Sequence, residues 1–212
     1  MMSVFDERTL KDLYITRGFS VRVIANQYSC SQQKINYWLA KYGIPKRSIS
    51  EAIYLERNPD GDPFKFKAPV TEKDWFLFGL GVGLYWGEGT KRSPDSVRLG
   101  NTDPDLVKRF VEFLSKFYGI KPEKFRFGLQ IFSDMNPQEA LSFWVHKLGM
   151  PASQFMKVIV TPARSLGIYR EKTRHGVLTV YVSNKKLRNL LVGEIEKLST
   201  MRYSARVPYK PK

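Results

Sequence analysis

The stretch Leu80-Gly81-Val82-Gly83-Leu84-Tyr85-Trp86-Gly87-Glu88-Gly89 decides how this chain is read. The residues before it, Glu72 to Phe78, suit a helix, and Thr71 followed by Asp74 can cap its start. One helix over 72–88 places Gly79, Gly83 and Gly87 at i, i+4 and i+8. Each glycine inside a helix costs about 0.5–1 kcal/mol relative to alanine, so Gly79, Gly81, Gly83 and Gly87 need a physical reason. Close approach of a second backbone supplies one, because a surface without Cβ atoms admits another helix. Glu88 then stands at the helix end, beside that contact and capped by Gly89. A carboxylate delivered to a helix–helix seam is a poor structural choice and a good metal ligand.

Downstream, 89–92 and 96–101 predict a hairpin turning at Pro94-Asp95. A helix over 103–117 carries Leu106, Phe110, Phe113 and Leu114 at helical spacing. Over 124–132 the pattern alternates: Phe125, Phe127, Leu129 and Ile131 on one side, Lys124, Arg126, Gly128 and Gln130 on the other. Alternation returns over 177–183, before a last helix over 185–198. A helix near 137–148 and a strand near 155–160 stand between them. With the apolar sides packed on helices, Ser96, Arg98, Lys124, Arg126, Gln130, Thr179 and Tyr181 line an open sheet face. The loop 164–176 sets Arg164, Arg170, Lys172, Arg174 and His175 against Glu171, which suits a grip on phosphates. His146 and His175 read as structural or surface residues.

Upstream, 5–45 reads as three short helices: 7–16, 21–28, and a third that Ser31 caps and that ends near Tyr42. Ile35, Trp38 and Leu39 form the third helix's apolar face; Gln32, Gln33, Lys34, Asn36, Tyr37 and Lys41 can pair with base edges and phosphates. Residues 46–71 read as an extended linker, with turn chemistry at Asn58-Pro59-Asp60-Gly61-Asp62-Pro63. The organisation is thus 1–45, linker 46–71, an α/β domain over 72–198, and a basic tail 199–212 with Arg202, Arg206, Lys210 and Lys212.

The 212 residues hold 35 Lys+Arg against 20 Asp+Glu, a net charge of +15. Such an excess favours a polyanion, since each neutralised phosphate releases counterions. Residues 1–50 share the bias, with eight basic and three acidic side chains. The longest uncharged run, 75–87, is 13 residues, short of the roughly 20 a bilayer needs. Asp6, Glu7 and Asp12 precede any apolar run, against a signal peptide. Cys30 alone excludes an internal disulfide and suits a reducing cytosol.

Ala25, Ser29 and Ile35 resemble the helix-turn-helix family in spacing, with serine where that family usually has glycine. Positions 81–89 resemble the LAGLIDADG homing endonucleases. Gly83, Leu84 and Gly89 match the motif, Val82, Tyr85 and Gly87 suit its packing positions, and Trp86 replaces its other acid. The resemblance implies an α+β fold: an αββαββα half-fold with an inserted helix and strand, beside a small all-α helix-turn-helix domain. In that family two motif helices pack together, each ending in an acid that binds a divalent metal. Carried over, Glu88 is the catalytic acid, and with Gly87 beside it the position for Mg²⁺ or Mn²⁺. Lys91 and Gln130 are the basic and polar residues placed to assist.

One motif and no internal repeat imply a C2 homodimer through Gly79, Gly83 and Gly87. The open sheet face would lie in the major groove of double-stranded DNA. Its contacts would be Arg98, Lys124, Arg126, Gln130 and Tyr181, with Arg170 and Arg174 from the loop and Gln32, Gln33, Lys34, Asn36 and Tyr37 from the helical domain. The expected function is a site-specific, metal-dependent DNA endonuclease, cytoplasmic and nucleoid-associated if prokaryotic, with no membrane partner. The alternative is a transcriptional regulator that binds DNA through the same fold without cutting it; retention of Glu88 favours the enzyme.

Overall fold

Side-chain caps start the four α-helices described in the first of the two units, 1–63 and 64–212, into which the chain divides. The computed structural model describes residues 6–59, 61–163 and 174–200. Asp6, Ser20, Ser31 and Ser48 each accept the N–H three residues on, from Thr9, Val23, Lys34 and Glu51. They open α1 (Glu7–Lys11), which runs on as a π-helical turn over Asp12–Thr16, then α2 (Val21–Gln27), α3 (Gln32–Lys41) and α4 (Ile49–Arg57). Leu10, Leu13, Tyr14, Ile24, Ala25, Ile35, Leu39 and Ile44 form this unit's core.

Between α2 and α3, Ser29 is the one non-glycine among the described residues with positive φ, at 48°. That left-handed turn costs a non-glycine residue roughly 1–2 kcal/mol. It lets the Cys30 N–H reach the Ala25 carbonyl at 2.9 Å, closing the end of α2.

The segment 46–71, expected as an extended linker, contains α4 instead. Arg47 fixes its entry. The Arg47 guanidinium lies 4.1 Å from the centre of the Tyr14 ring, and its Nη1 donates to the carbonyls of Gly18 and Phe19 at 3.1 and 3.0 Å. The expected turn follows, with Gly61 at φ 98°.

The second unit opens on α5 (Glu72–Glu88), with the bounds the sequence predicts. Thr71 and Asp74 form a reciprocal capping box. Asp74 also meets the Lys116 ammonium at 2.5 Å. That cation, with the N–H groups of Thr71 and Val70, holds its carboxyl well below the ordinary 3.8. Helix α6 (Pro104–Tyr118) is capped by Asp103, begins with proline and ends at Gly119 with φ 63°. Its buried stripe of Val107, Phe110, Val111, Phe113, Leu114, Phe117 and Tyr118 faces α5 and the sheet. Helix α7 (Pro137–Leu148) repeats the design with Asn136 and Gly149, and α8 (Lys185–Thr200) closes the described fold.

The unit is mixed α+β, with one four-stranded sheet in the order β1-β4-β2-β3. Strands β1 (Val97–Asn101), β2 (Arg126–Phe132) and β4 (Val177–Val182) pair antiparallel; β3 (Ile159–Thr161) runs parallel to β2. Val97, Leu99, Phe127, Leu129, Ile131, Leu178, Val180 and Val182 are buried beneath α5–α8. All four helices cover that one side.

The strands depart from expectation at three places. The first arm of the expected hairpin is a single bridge, Gly89 to Leu99, supported by Thr90 N–H to the Arg98 carbonyl at 2.9 Å. Residues 91–95 leave it as turn, so the order α5-β1-α6 replaces αββα. Lys124 belongs to a 3₁₀ turn, Pro122–Lys124, because the Phe125 N–H closes back on the Pro122 carbonyl at 3.2 Å. The inserted strand begins at Ile159, after a 3₁₀ turn over Ala152–Gln154.

Asp74 carries a pH signature. A carboxyl held below its ordinary pKa stabilises the fold above about pH 5 and loses that contribution as pH falls through and below 3.8. Asp74→Asn should therefore lower the melting temperature at pH 7, and the gap from wild type should shrink below about pH 4. Thermal melts followed by circular dichroism across that range check it; a gap constant with pH would leave only the neutral capping contact.

Candidate functional site

Helix α5 has two unlike faces. Inward, Gly81 is pressed against α6: a Cβ there would lie 2.1 Å from Cγ of Phe113. Leu77, Phe78, Val82 and Tyr85 are buried beside it. Outward, a would-be Cβ on Gly79, Gly83 or Gly87 meets nothing within 4 Å beyond its chain neighbours and the backbone of its own helix. Trp75, Phe76 and Trp86 share that outward face, 60%, 75% and 47% exposed. The expected glycine stripe thus divides. Gly81 serves packing within the chain, while 79, 83 and 87 lie bare among large aromatic rings.

The helix itself ends at Glu88, which is exposed. Gly89 follows with φ −73°, so it is no left-handed cap. Its need for glycine is close approach, because a Cβ would fall 2.3 Å from the Tyr85 ring. Three further contacts fix the turn. The Gly89 N–H donates to the Tyr85 carbonyl at 3.0 Å. The Lys91 ammonium donates to the Trp86 carbonyl, and Nη2 of Arg188, from α8, donates to the Lys91 carbonyl. Tyr85 is fully buried beneath this turn; burial raises its phenol pKa and Arg188 opposes the shift.

Mg²⁺ takes oxygen ligands and keeps several waters. One chain offers the Glu88 carboxylate and, with the Tyr85 and Trp86 carbonyls already accepting from Gly89 and Lys91, the backbone carbonyls of Gly87 and Glu88. Among the described residues, no three acidic, histidine or cysteine side chains gather at one point. One carboxylate with backbone carbonyls is donor chemistry of the kind the ion takes.

The helix-free side of the sheet is read through its register. One row runs Arg98–Tyr181–Arg126, the next Gly100–Thr179–Gly128, the third Val177–Gln130–Ile159. The strands contain no Asp or Glu. Ser96, expected on this face, is only 4% exposed. It lies beneath Arg98, whose Nε donates to its hydroxyl at 2.8 Å. Nη1 of Arg126 donates to the carbonyls of Glu123 and Phe125, both at 2.7 Å, so this arginine is drawn back to its own strand start.

The structure groups the expected catalytic residues in part. Lys91 stays within the turn after Glu88. Gln130 does not join it: Gly89 pairs on the outer edge of β1, and β1, β4 and β2 lie in sequence beyond it. Three strand spacings of about 4.8 Å put Gln130 roughly 14 Å from that arm. The basic residue opposite the turn is Arg98, paired with Thr90.

Of the expected DNA contacts, Gln32, Gln33 and Tyr37 are exposed on α3, and Lys34 and Asn36 are half-buried. Lys124 and Arg174 are exposed. Arg164, Arg170 and Lys172, like the tail residues Arg202, Arg206, Lys210 and Lys212, lie outside the described residues. His175 is structural. Its ring stacks on Phe143 at 3.5 Å and its carbonyl accepts the Trp144 indole N–H at 2.7 Å. Burial, then Arg174 and Lys147, lowers its pKa.

Compared with known proteins, the chain matches no family model, no curated protein sequence and no solved structure. Sequence reasoning passed over Arg188 and the Ser96 clamp on Arg98. Arg188 has no local signal, since its partner is 97 residues away.

The two faces of α5 respond oppositely to a methyl group. Gly81→Ala should destabilise the second unit by about 1–3 kcal/mol through overpacking on Phe113. Gly79→Ala, in open space, should stabilise its helix by up to about 1 kcal/mol. Urea unfolding of the two variants checks this, and similar losses at both positions would refute the division.

Proposed function

We propose that this chain is a site-specific DNA endonuclease of the LAGLIDADG type that works as a homodimer on double-stranded DNA. The observation that carries the reading is the outward face of α5: bare glycines at 79, 83 and 87 leading to the exposed Glu88. No helix among the described residues is long and apolar enough to cross a membrane, and a cytoplasmic, nucleoid-associated setting accords with the +15 charge.

In this reading two copies of α5 cross at their glycines. A symmetric pair presents the same patch twice, and it brings two Glu88 carboxylates to one seam. Each would hold a divalent ion with Gly87 beside it; when bound, such an ion activates water and stabilises the leaving oxygen. The protein's own groups do the rest. Lys91 and Arg98 flank the turn after Glu88 and supply positive charge for a phosphate. Arg188 holds that turn from α8, and Gln130 belongs with the DNA contacts of the sheet. A near-palindromic target follows from the two-fold axis.

A second reading, a DNA-binding regulator without cleavage, is favoured by the intact α2–turn–α3 pair, whose Ser31-capped helix exposes Gln32, Gln33 and Tyr37. Supercoiled-plasmid cleavage in Mg²⁺ or Mn²⁺ separates the two. Wild type should yield linear product and Glu88→Gln should lose at least about 100-fold in rate while keeping its affinity. Salt-sensitive binding with no cleavage would select the regulator.

Gly83→Leu tests the seam independently. It should halve the mass seen by sedimentation velocity and leave the protomer folded; an unchanged coefficient would exclude α5 from the interface.

A further inference from the structure

Two polar side chains of the strands are exposed on the open sheet face, Arg126 and Gln130. Arg126 is tied to the carbonyls of Glu123 and Phe125. Gln130 is not tied down: its amide makes no hydrogen bond among the described residues. Its backbone is fixed all the same, because β2 lies inside the sheet and pairs Gln130 with Val177 on one side and Ile159 on the other. Those two, with Gly128 and Phe132 two residues away on β2, surround the amide on this face, and none of the four carries a charge. Ile159 is 58% exposed, while Val177 and Phe132 are half-buried. The one arginine of β2, Arg126, starts four residues away, about 13 Å along the strand.

A carboxamide carries a donor and an acceptor side by side. In the major groove adenine sets N7, an acceptor, beside the donor N6, so one amide satisfies both. Guanine presents two acceptors there and calls for arginine or lysine, which the row Val177–Gln130–Ile159 lacks. The thymine of an A·T pair adds a C5 methyl, which takes apolar contact, and Ile159 is the exposed aliphatic beside the amide. The strands carry no acid to repel the phosphates on either side. We propose that Gln130 and Ile159 together select one A·T pair in the major groove of double-stranded DNA, the amide bonding adenine N7 and N6 and the isoleucine meeting the thymine methyl. This rests on the reading of the chain as a protein of double-stranded DNA and names a base pair that it chooses.

Both side chains are exposed, so replacing them leaves the fold in place. The full-length protein and Gln130→Ala, in EDTA to prevent cleavage, are each used to select from a fully randomised duplex library, and the bound DNA is sequenced. Wild type should fix an A·T pair at a position, or a two-fold pair of positions, where Gln130→Ala accepts any base, with the other positions unchanged. On the selected duplex, 7-deazaadenine at that position removes N7 and should weaken wild type by about 5- to 150-fold while leaving Gln130→Ala unaffected. Uracil in place of the paired thymine removes the methyl; it should weaken wild type but not Ile159→Ala. An identical consensus from both proteins would overturn the proposal, as would a G·C pair at the position that Gln130→Ala releases. Duplex binding by wild type with no consensus would overturn it and leave a DNA-binding protein. Failure to bind any duplex would remove the double-stranded DNA reading as well.

Discussion

The contact between Gly81 and Phe113 sets the orientation of α5, and much of the second unit follows from it. A would-be Cβ at 2.1 Å from the ring leaves no slack, so this point of the helix can face only α6. Leu77, Phe78, Val82 and Tyr85 share that side and commit to the core. At 3.6 residues per turn, the opposite side must then carry Trp75, Phe76, Gly79, Gly83, Trp86 and Gly87. Glu88 is exposed because it is the last residue of the helix, one turn beyond the buried Tyr85. One glycine thus determines what α5 presents to its surroundings.

What it presents is an unusual surface. Large rings stand near its beginning and end, and its middle is bare backbone at Gly79 and Gly83. A uniformly aromatic face would hold a second helix at a distance. A uniformly small one would bury little apolar area. Bulky ends with a thin middle favour a crossing at the glycines, where two backbones can come close and each helix's rings lie beside the other. That shape supports the pairing proposed for α5, and it explains why glycines that weaken an isolated helix are placed on its outer side.

Local signals made much of this fold legible in the sequence, and non-local ones hid the rest. The Thr71–Asp74 box and the Glu88-Gly89 end bounded α5 to the residue. Asp103-Pro104 with Gly119, and Asn136-Pro137 with Gly149, bracketed α6 and α7 as plainly. Alternation separated the two sides of β2 and β4, yet it could not tell that Lys124 closes a 3₁₀ turn. Nor could it place Ser96 beneath Arg98. Strand order was invisible for the same reason: Gln130 reads as a neighbour of the site until β1 and β4 are seen to stand between. Helix α4 escaped because the turn residues around Asn58 coloured the whole of 46–71. Its anchor, Arg47 on Tyr14, joins residues 33 apart in sequence.

Arg98 ties the carboxylate at the end of α5 to the sheet face. Its backbone carbonyl receives the N–H of Thr90, two residues beyond Glu88, while its side chain is held by Ser96 and Tyr181. A lone exposed carboxylate repels a phosphate, so a site built on Glu88 needs fixed positive charge nearby if nucleic acid is to approach it. Lys91 supplies one such charge, but its ammonium is occupied with the end of α5. In the proposed reading Arg98 would supply the other, and since Ser96 already orients its guanidinium, little side-chain freedom would be lost when an anion bound. A flexible lysine at the same register would have to be ordered by the ligand itself. Arginine at 98, clamped by Ser96 and set against the Tyr181 ring, would place the cation before a phosphate arrived.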